Sequence, residues 1–350
     1  MDFRLSDEQL ALRDTVVSFC KGHFDVAAVA SREARTWPET AQGGPAAPAA
    51  WSELAGIGVL GMLVPDEVDG VAPGGAAEVA IAFEELGRSL CLGPVLWSTL
   101  AAPLVPGVEA GEVRVAGVRV EPGRPAGAVA VEHAPESDVL IVLYPDRVER
   151  LATADLPVSV AGEPFDPLTP TAVFESLPSG TVVGGAEEAA RLALLGTALS
   201  AALLVGTAQG ALDVAAGYAA QRKQFGVPIG SFQAVKHLLT DMYVRVALAR
   251  SATYAAAAMI DDPRAGDAVR AASAAKLLAG EAGIGNGRAA VQVLGGMGFT
   301  WEMLPHYYLK RAWLLEQGFG TSDNHALALA DTLAAEPGVA LDGTTTVVNG

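Results

Sequence analysis

A chain of 350 residues, 51% hydrophobic and 18% charged, is long and apolar enough to bury a substantial core shared among two or three domains, which excludes an extended or disordered protein. Forty acidic against 23 basic residues leave a net charge of −17; a surface of that sign repels phosphodiester backbones, so nucleic acid is set aside as a partner and any anionic ligand needs cations gathered locally. Cys20 and Cys91 form no CxxC pair, and His23, His133, His237, His306 and His325 are dispersed, which argues against a disulfide framework and a metal site.

The amino-terminal MDFRLSDEQLAL has acids where a signal peptide has a basic region, and no run of 18 strongly apolar residues follows. The expectation is a cytoplasmic protein without a membrane span. In LSDEQL, Ser6 is placed to cap a helix with Gln9 reaching back, Asp7 and Glu8 complement the helix dipole, and Leu5 and Leu10 form a hydrophobic staple. Further helices are expected from Pro48 to Ala55 and from Ala76 to Leu90, the second with Val79, Ala80, Phe83 and Leu86 at helical spacing. Between them GIGVLG, Gly56 to Gly61, has GxGxxG spacing. It follows the helix-like WSELA instead of a strand, so it reads as a helix end and turn, not a dinucleotide fingerprint.

From Pro103 to Gly184 the chain turns to short Val-rich stretches between Gly and Pro clusters: EVRVAGVRV, GAVAVEH, DVLIVLY, LPVSVAG and TAVFESL. Long Ala- and Leu-rich helices then run over roughly 186–221, 232–261, 264–294 and 321–334, with Pro228, Gly230, Pro263, Gly295 and Gly296 as boundaries. The predicted fold is α+β and mainly α. It comprises an amino-terminal helical domain (1–102), a small central β domain (103–184), a carboxy-terminal antiparallel four-helix bundle (185–334) and a loose tail (335–350).

Two corners of the bundle carry chemistry. In RKQFGVPIGSFQAVKH, Gly226, Pro228 and Gly230 break the helix and Ser231 is placed to cap the next one. Arg222 then ends one helix and Gln233 opens another. A guanidinium, a carboxamide and free helix amides on one corner suit a phosphate, although a solvated arginine at a helix end would produce the same pattern through the dipole. In AVQVLGGMGFTWE, Gln292, Val293 and Leu294 run into Gly295 and Gly296, whose bare backbone lets another group approach; an ordinary glycine helix cap looks the same.

RKQFGVPIGSFQAVKHLLTDM, then QVLGGMGFTWE and YLKRAWLLEQGFGTSDN, together resemble the carboxy-terminal bundle of the acyl-CoA dehydrogenases, and WSELAGIGVLGMLVPDEVDG and FEELGRSL are similar to that family's helical domain. The likeness spans the chain and is sharpest from Leu203 to Asp323. It implies a tetramer that binds FAD across a subunit interface. Arg222 and Gln233 would reach the FAD pyrophosphate of a neighbouring subunit, with Phe225 near the cofactor. Gln292, Val293, Leu294, Gly295 and Gly296 would line the same dinucleotide, and Thr321, Ser322 and Asp323 would hold the subunit's own FAD. The implied reaction is α,β-dehydrogenation of an acyl-CoA thioester, in which a glutamate removes the α-proton and the flavin takes the β-hydride.

Neither family position for that glutamate is acidic here: one is Phe319 and the other falls at Gly196. The nearest upstream acid, Glu188, is about 12 Å away along a helix, whereas proton transfer needs about 3 Å. Glu316 and Glu302 occupy no recognised base position and read as solvated or bridging charges. The Gly-Ser-Asp segment that holds the flavin ring in the family is also missing from VEPGRPAGAVAVEHAPESD. Phosphate-side residues without ring-side and base residues resemble the shorter, non-catalytic subunit of two-plus-two heterotetrameric acyl-CoA dehydrogenases of actinobacterial steroid side-chain degradation. That implies a larger, base-carrying partner subunit. The alternatives are a self-sufficient homotetramer with Glu316 or Glu188 as a displaced base, a flavin-dependent monooxygenase of the same fold, and a structural partner without cofactor.

Overall fold

A computed structural model describes residues 4–24, 48–65, 73–120, 127–156 and 164–335. The expected LPVSVAG strand, except for its first residue, and the carboxy-terminal tail from 336 lie outside them. The first helix, α1 (Asp7–His23), starts with the capping box read from LSDEQL: the Gln9 amide donates to Ser6 Oγ at 3.2 Å and the Ser6 amide to Gln9 Oε1 at 3.1 Å. Helix α2 (Pro48–Gly56) ends at the GxGxxG stretch, where Gly58 takes a left-handed φ of 85° before a 3-10 turn over Val59–Gly61. A helix in front of the glycines leaves no strand from which a phosphate loop could open. The buried α3 (Ala76–Arg88) follows, then the short α4 (Val95–Ala101), which the sequence reading passed over.

The β domain has one four-stranded sheet and one two-stranded sheet. The strands are β1 (Val115–Arg119), β2 (Val129–Glu132), β3 (Val139–Leu143), β4 (Val148–Ala152), β5 (Thr171–Phe174) and β6 (Thr181–Gly184). The larger sheet runs β1-β3-β4-β6, with β1 parallel to β3 and the other pairs antiparallel, while β2 pairs antiparallel with β5. Alternation along β3 explains its unbroken apolar run VLIVL. Val139, Ile141 and Leu143 join the core beneath the amino-terminal helices, and Leu140 and Val142 join the core against β2–β5. A strand covered on both faces has no polar side to display.

Helices α5 (Ala186–Gln221), α6 (Gln233–Asp261), α7 (Ala268–Leu294), α8 (Pro305–Gln317) and α9 (Ser322–Ala335) build the carboxy-terminal domain. Helix α5 is long and apolar enough to cross a membrane, but 78% of its apolar window is buried inside the protein, as befits a core helix. Helix α7 packs along α5 and α6, with α8 and α9 laid against it. The bundle reading omitted α8, because its buried face carries His306, Tyr307, Tyr308, Arg311 and Glu316 in place of an aliphatic stripe. Helix α3 docks closely on α5, since a Cβ on Gly206 would overlap the Glu84 carbonyl and one on Gly87 the Leu203 carbonyl. Glycine at those two points sets the distance between amino-terminal and carboxy-terminal domains.

Candidate functional site

A cavity of about 430 Å³ opens where the three domains meet. Its walls are Leu86 and Gly87 on α3, Trp97 on α4, Gly117 and Arg119 on β1, Glu132 on β2, Ser200, Leu203 and Thr207 on α5, Arg311 and Leu315 on α8, and Phe319 beyond α8. A largely apolar, concave site at a domain junction with a few polar groups is the usual setting of a ligand site.

Both positions where the base was sought meet here. The Phe319 ring lies against Gly196, where any Cβ would overlap it, and packs on Trp97 with centroids 4.9 Å apart. Trp97 in turn covers Gly117, where a Cβ would also overlap the ring. Two aromatic rings fitted onto two glycines therefore fill the space between α5 and β1. Phe319 holds a left-handed φ of 58°, costly for a bulky residue unless its surroundings fix it. They do: its carbonyl accepts from Arg119 Nη1 at 3.3 Å and His325 Nε2 at 3.1 Å. The fully buried Lys276 ammonium donates to the carbonyls of Leu315, Glu316 and Gly320 at 3.1, 2.9 and 3.1 Å. Burial lowers Lys276 to about 8, so it remains charged at neutral pH.

Neither displaced-base candidate faces this cavity. Glu188 is held by Arg191 at 2.7 and 3.0 Å. Glu316 accepts from the Ser322 amide at 2.7 Å and from Gln317 Nε2 at 2.9 Å, bracing the start of α9. Glu302 is exposed. A carboxyl that the sequence reading missed does reach the cavity: Glu132, at the end of β2. Val131 points into the β-domain core while Ala130 and Glu132 line the cavity, and that period of two was legible in VAVE. Burial raises Glu132 to about 7, against the pull of Arg311 and with a push from Asp166. Arg311 Nε donates to Asp166 at 2.6 Å and Nη1 to the Cys91 carbonyl at 3.0 Å, while its buried Nη2 has no hydrogen-bond partner among the described residues.

The residues expected to grip a pyrophosphate lie elsewhere, at one end of the bundle. Antiparallel order brings the end of α5, the start of α6 and the end of α7 together over a shared apolar cluster with Leu212, Ala219, Met242, Val293 and Leu294. Arg222 caps α5, Gln233 opens α6 and Gln292 sits in the last turn of α7, all exposed. Between α5 and α6, strands β7 (Lys223–Gln224) and β8 (Val227–Pro228) form a hairpin. Its two loop residues, Phe225 and Gly226, have φ of 52° and 82°, the left-handed pair of a tight hairpin turn. Phe225 is 94% exposed there, an unfavourable place for an aromatic ring, and its ring partner among the described residues is Phe232.

One expectation is corrected. Ser231 does not cap α6: it sits in a 3-10 turn with its hydroxyl on the Pro228 carbonyl at 2.7 Å, and Phe232 takes the cap position. Val293 and Leu294 are buried in the apolar cluster, so at that corner their side chains serve the core. Thr321, Ser322 and Asp323, expected at the subunit's own FAD, lie apart from the corner that holds Arg222 and Gln233. Ser322 Oγ lies 3.5 Å from the Leu277 carbonyl, and Gln292, fifteen residues further along α7, is about 22 Å away. One pyrophosphate cannot touch both groups of a single chain. Thr321 and Ser322 are engaged in starting α9, through Asn324 and Glu316.

Exposed cationic and carboxamide side chains beside a helix start fit the phosphate half of a dinucleotide by the chemistry of their donors. Among the described residues no cluster of metal-binding side chains occurs.

Comparison with known proteins adds the following. The family description "Acyl-CoA dehydrogenase, N-terminal domain" matches residues 6–106, and "Acyl-CoA dehydrogenase, C-terminal domain" matches residues 185–334. The acyl-CoA dehydrogenase IpdE2 of Mycolicibacterium smegmatis is 32% identical over 88% of this chain and 93% of that protein. Among solved structures, the ChsE4-ChsE5 complex from Mycobacterium tuberculosis superposes with a TM-score of 0.81 at 22% identity, over 96% of this chain and 100% of the matched chain. A variant of the Tcur3481-Tcur3483 steroid ACAD gives 0.77 at 23% identity, over 94% of this chain and 98% of the matched one.

Proposed function

Because the chain belongs to the acyl-CoA dehydrogenase family, we propose that it is the non-catalytic subunit of an FAD-dependent acyl-CoA dehydrogenase, working with a larger partner that carries the base. FAD is the cofactor of the reaction, and when bound it accepts the hydride that leaves the β-carbon of the acyl thioester. Arg222 and the carboxamides of Gln233 and Gln292 hold its phosphates, and Phe225 packs beside the dinucleotide. The observation that carries this reading is the Phe319–Gly196 contact. A carboxylate must come within about 3 Å of the α-proton, and here a phenyl ring seated on a glycine takes both positions. The division of the remaining cofactor contacts between two distant stretches of α7 and α9 supports a site shared between chains. Structural likeness to two-component complexes, one of them a steroid enzyme, supports a heteromeric assembly acting on a steroid or other lipid side chain.

The test is coexpression with candidate larger dehydrogenase subunits, measuring bound flavin, native mass and turnover. One FAD per pair of unlike chains, with turnover only in the pair, is the expected result. Full turnover by the purified chain alone overturns the proposal. A second reading, a self-sufficient dehydrogenase, is favoured by one observation, the cavity position of Glu132; it requires that same turnover by the chain alone and its loss in Glu132→Gln.

A further inference from the structure

The cavity wall at Phe319 is held by side chains where a backbone ladder is absent. Among the described residues, Gly318, Phe319 and Gly320 make no backbone–backbone hydrogen bond, although α8 ends just before them and α9 starts just after. Phe319 and Gly320 both take left-handed φ, 58° and 99°, a conformation strained for phenylalanine. The Lys276 ammonium on α7 donates to the Leu315 and Glu316 carbonyls ahead of the segment and to the Gly320 carbonyl at its end. Arg119 from β1 and His325 from α9 donate to the carbonyl of Phe319 itself. One turn further along α7, Gly280 leaves room for Ser322, whose hydroxyl a Cβ there would overlap. Lys276 is fully buried, and burial lowers it to about 8 against the pull of the Glu316 and Glu132 carboxylates. An apolar side chain of the same length would fill that space without the cost of desolvating a charge. What the ammonium adds is three charge-assisted bonds to carbonyls that no amide reaches among the described residues, groups costly to bury unpaired.

We propose that Lys276 is a positioning residue for the cavity: its ammonium fixes the Gly318–Gly320 segment from both sides of Phe319 and so holds the phenyl ring on Gly196 and Trp97. Without the ammonium, the bonds from Arg119 and His325 remain, and both end on the single carbonyl of Phe319. The segment then pivots about that one point, the ring leaves its seat, and the space beside Trp97 joins the cavity. Lys276 thus governs position 319, the site of the missing base, without touching the cavity contents itself. The role does not rest on the subunit reading, since it concerns the shape of the wall and holds whether or not the chain turns over a substrate.

The experiment is fluorine NMR of the purified full chain labelled with fluorotryptophan, because the Phe319 ring, 4.9 Å from Trp97 between centroids, displaces the Trp97 resonance. Loss of one signal in Trp97→Phe assigns that resonance, and Phe319→Leu gives its position without the ring. Lys276→Met, similar in length but uncharged, should move the Trp97 resonance at least halfway to that position while the signals of Trp51 and Trp301 stay in place. Coupling between two groups is reciprocal, so displacing the ring must also be felt at the lysine. Gly196→Ala, whose methyl group pushes the ring off its seat, should wet the ammonium. The midpoint of Lys276, followed by nitrogen NMR of labelled lysine, should then rise by roughly half a pH unit or more towards the ordinary lysine range. A Trp97 resonance unmoved in folded Lys276→Met overturns the proposal. A Lys276 midpoint that is the same in Gly196→Ala as in the wild type overturns it too, and that measurement decides the matter if Lys276→Met does not fold. Neither measurement involves turnover, flavin or a partner chain, so failure here and failure of the subunit reading are separate results.

Discussion

Phe319 and Gly196 are complementary in volume: the ring sits where a side chain at 196 would project. Gly196→Ala is therefore expected to destabilise the chain by about 1–3 kcal/mol through overpacking. In a Phe319→Ala background, where the ring is gone, Gly196→Ala should cost little, and urea unfolding of the two single variants and the double variant measures the coupling. Glu132 yields a prediction whose sign follows from linkage. Its folded value, about 7, lies above the ordinary 4.5, so the folded state binds the proton more tightly. Its contribution is fully present below pH 4.5 and is lost as pH rises through 7. Glu132→Gln should match the wild type near pH 4.5 and exceed it at pH 8 by up to about 3 kcal/mol, read from melting temperatures across that range.

At the scale of elements, α3 is fastened to the bundle by polar contacts as well as by glycine. Glu84 accepts from Arg250 at 2.7 Å and Tyr254 at 2.9 Å on α6, and the Asp261 carboxylate at the end of α6 caps α3 through the amides of Ala76 and Ala77 at 2.7 and 2.9 Å. Asp261→Ala should cost about 1–2 kcal/mol, as loss of an N-cap does, with faster amide exchange over the first turn of α3 as the local readout. The start of α1 was legible because a capping box acts within four residues. The α3 cap was not, because its acceptor lies more than 180 residues away in sequence. Strands β4 and β6 escaped notice for a related reason: VERLA exposes Arg150 and Ala152, and TVVG begins with exposed Thr181 and Val182, so neither shows a clean apolar alternation.

At the scale of the molecule, the bundle presents apolar surface that the single chain does not cover. Tyr243 is 62% exposed, Leu248 56%, Phe299 76% and Trp301 56%, in addition to Phe225. Aromatic residues in such numbers on a folded surface mark an interface. The assembled enzyme is expected to bury them. Arg222→Ala should lower the flavin content of the coexpressed complex several-fold while leaving the melting temperature of the chain nearly unchanged, since Arg222 is exposed and surface substitutions usually move stability by no more than about 0.5 kcal/mol. Retention of full flavin by that variant would remove Arg222 from the phosphate site.

The order of helical domain, β domain and bundle, the helix ends, the corner holding Arg222, Gln233 and Gln292, and the lack of an acid at positions 196 and 319 were all set by the sequence, because each rests on local spacing or on residue identity. Three things were decided only by tertiary packing. Phe319 and Gly196 fill one another's space, Thr321–Asp323 start α9 beside Leu277, at the far end of α7 from the corner that holds Arg222, and Glu132 and Arg311 from separate domains face a single cavity. Side chains distant in the sequence acquire distance, burial and charge partners only when the chain is folded, and protonation and ligand chemistry depend on those three quantities.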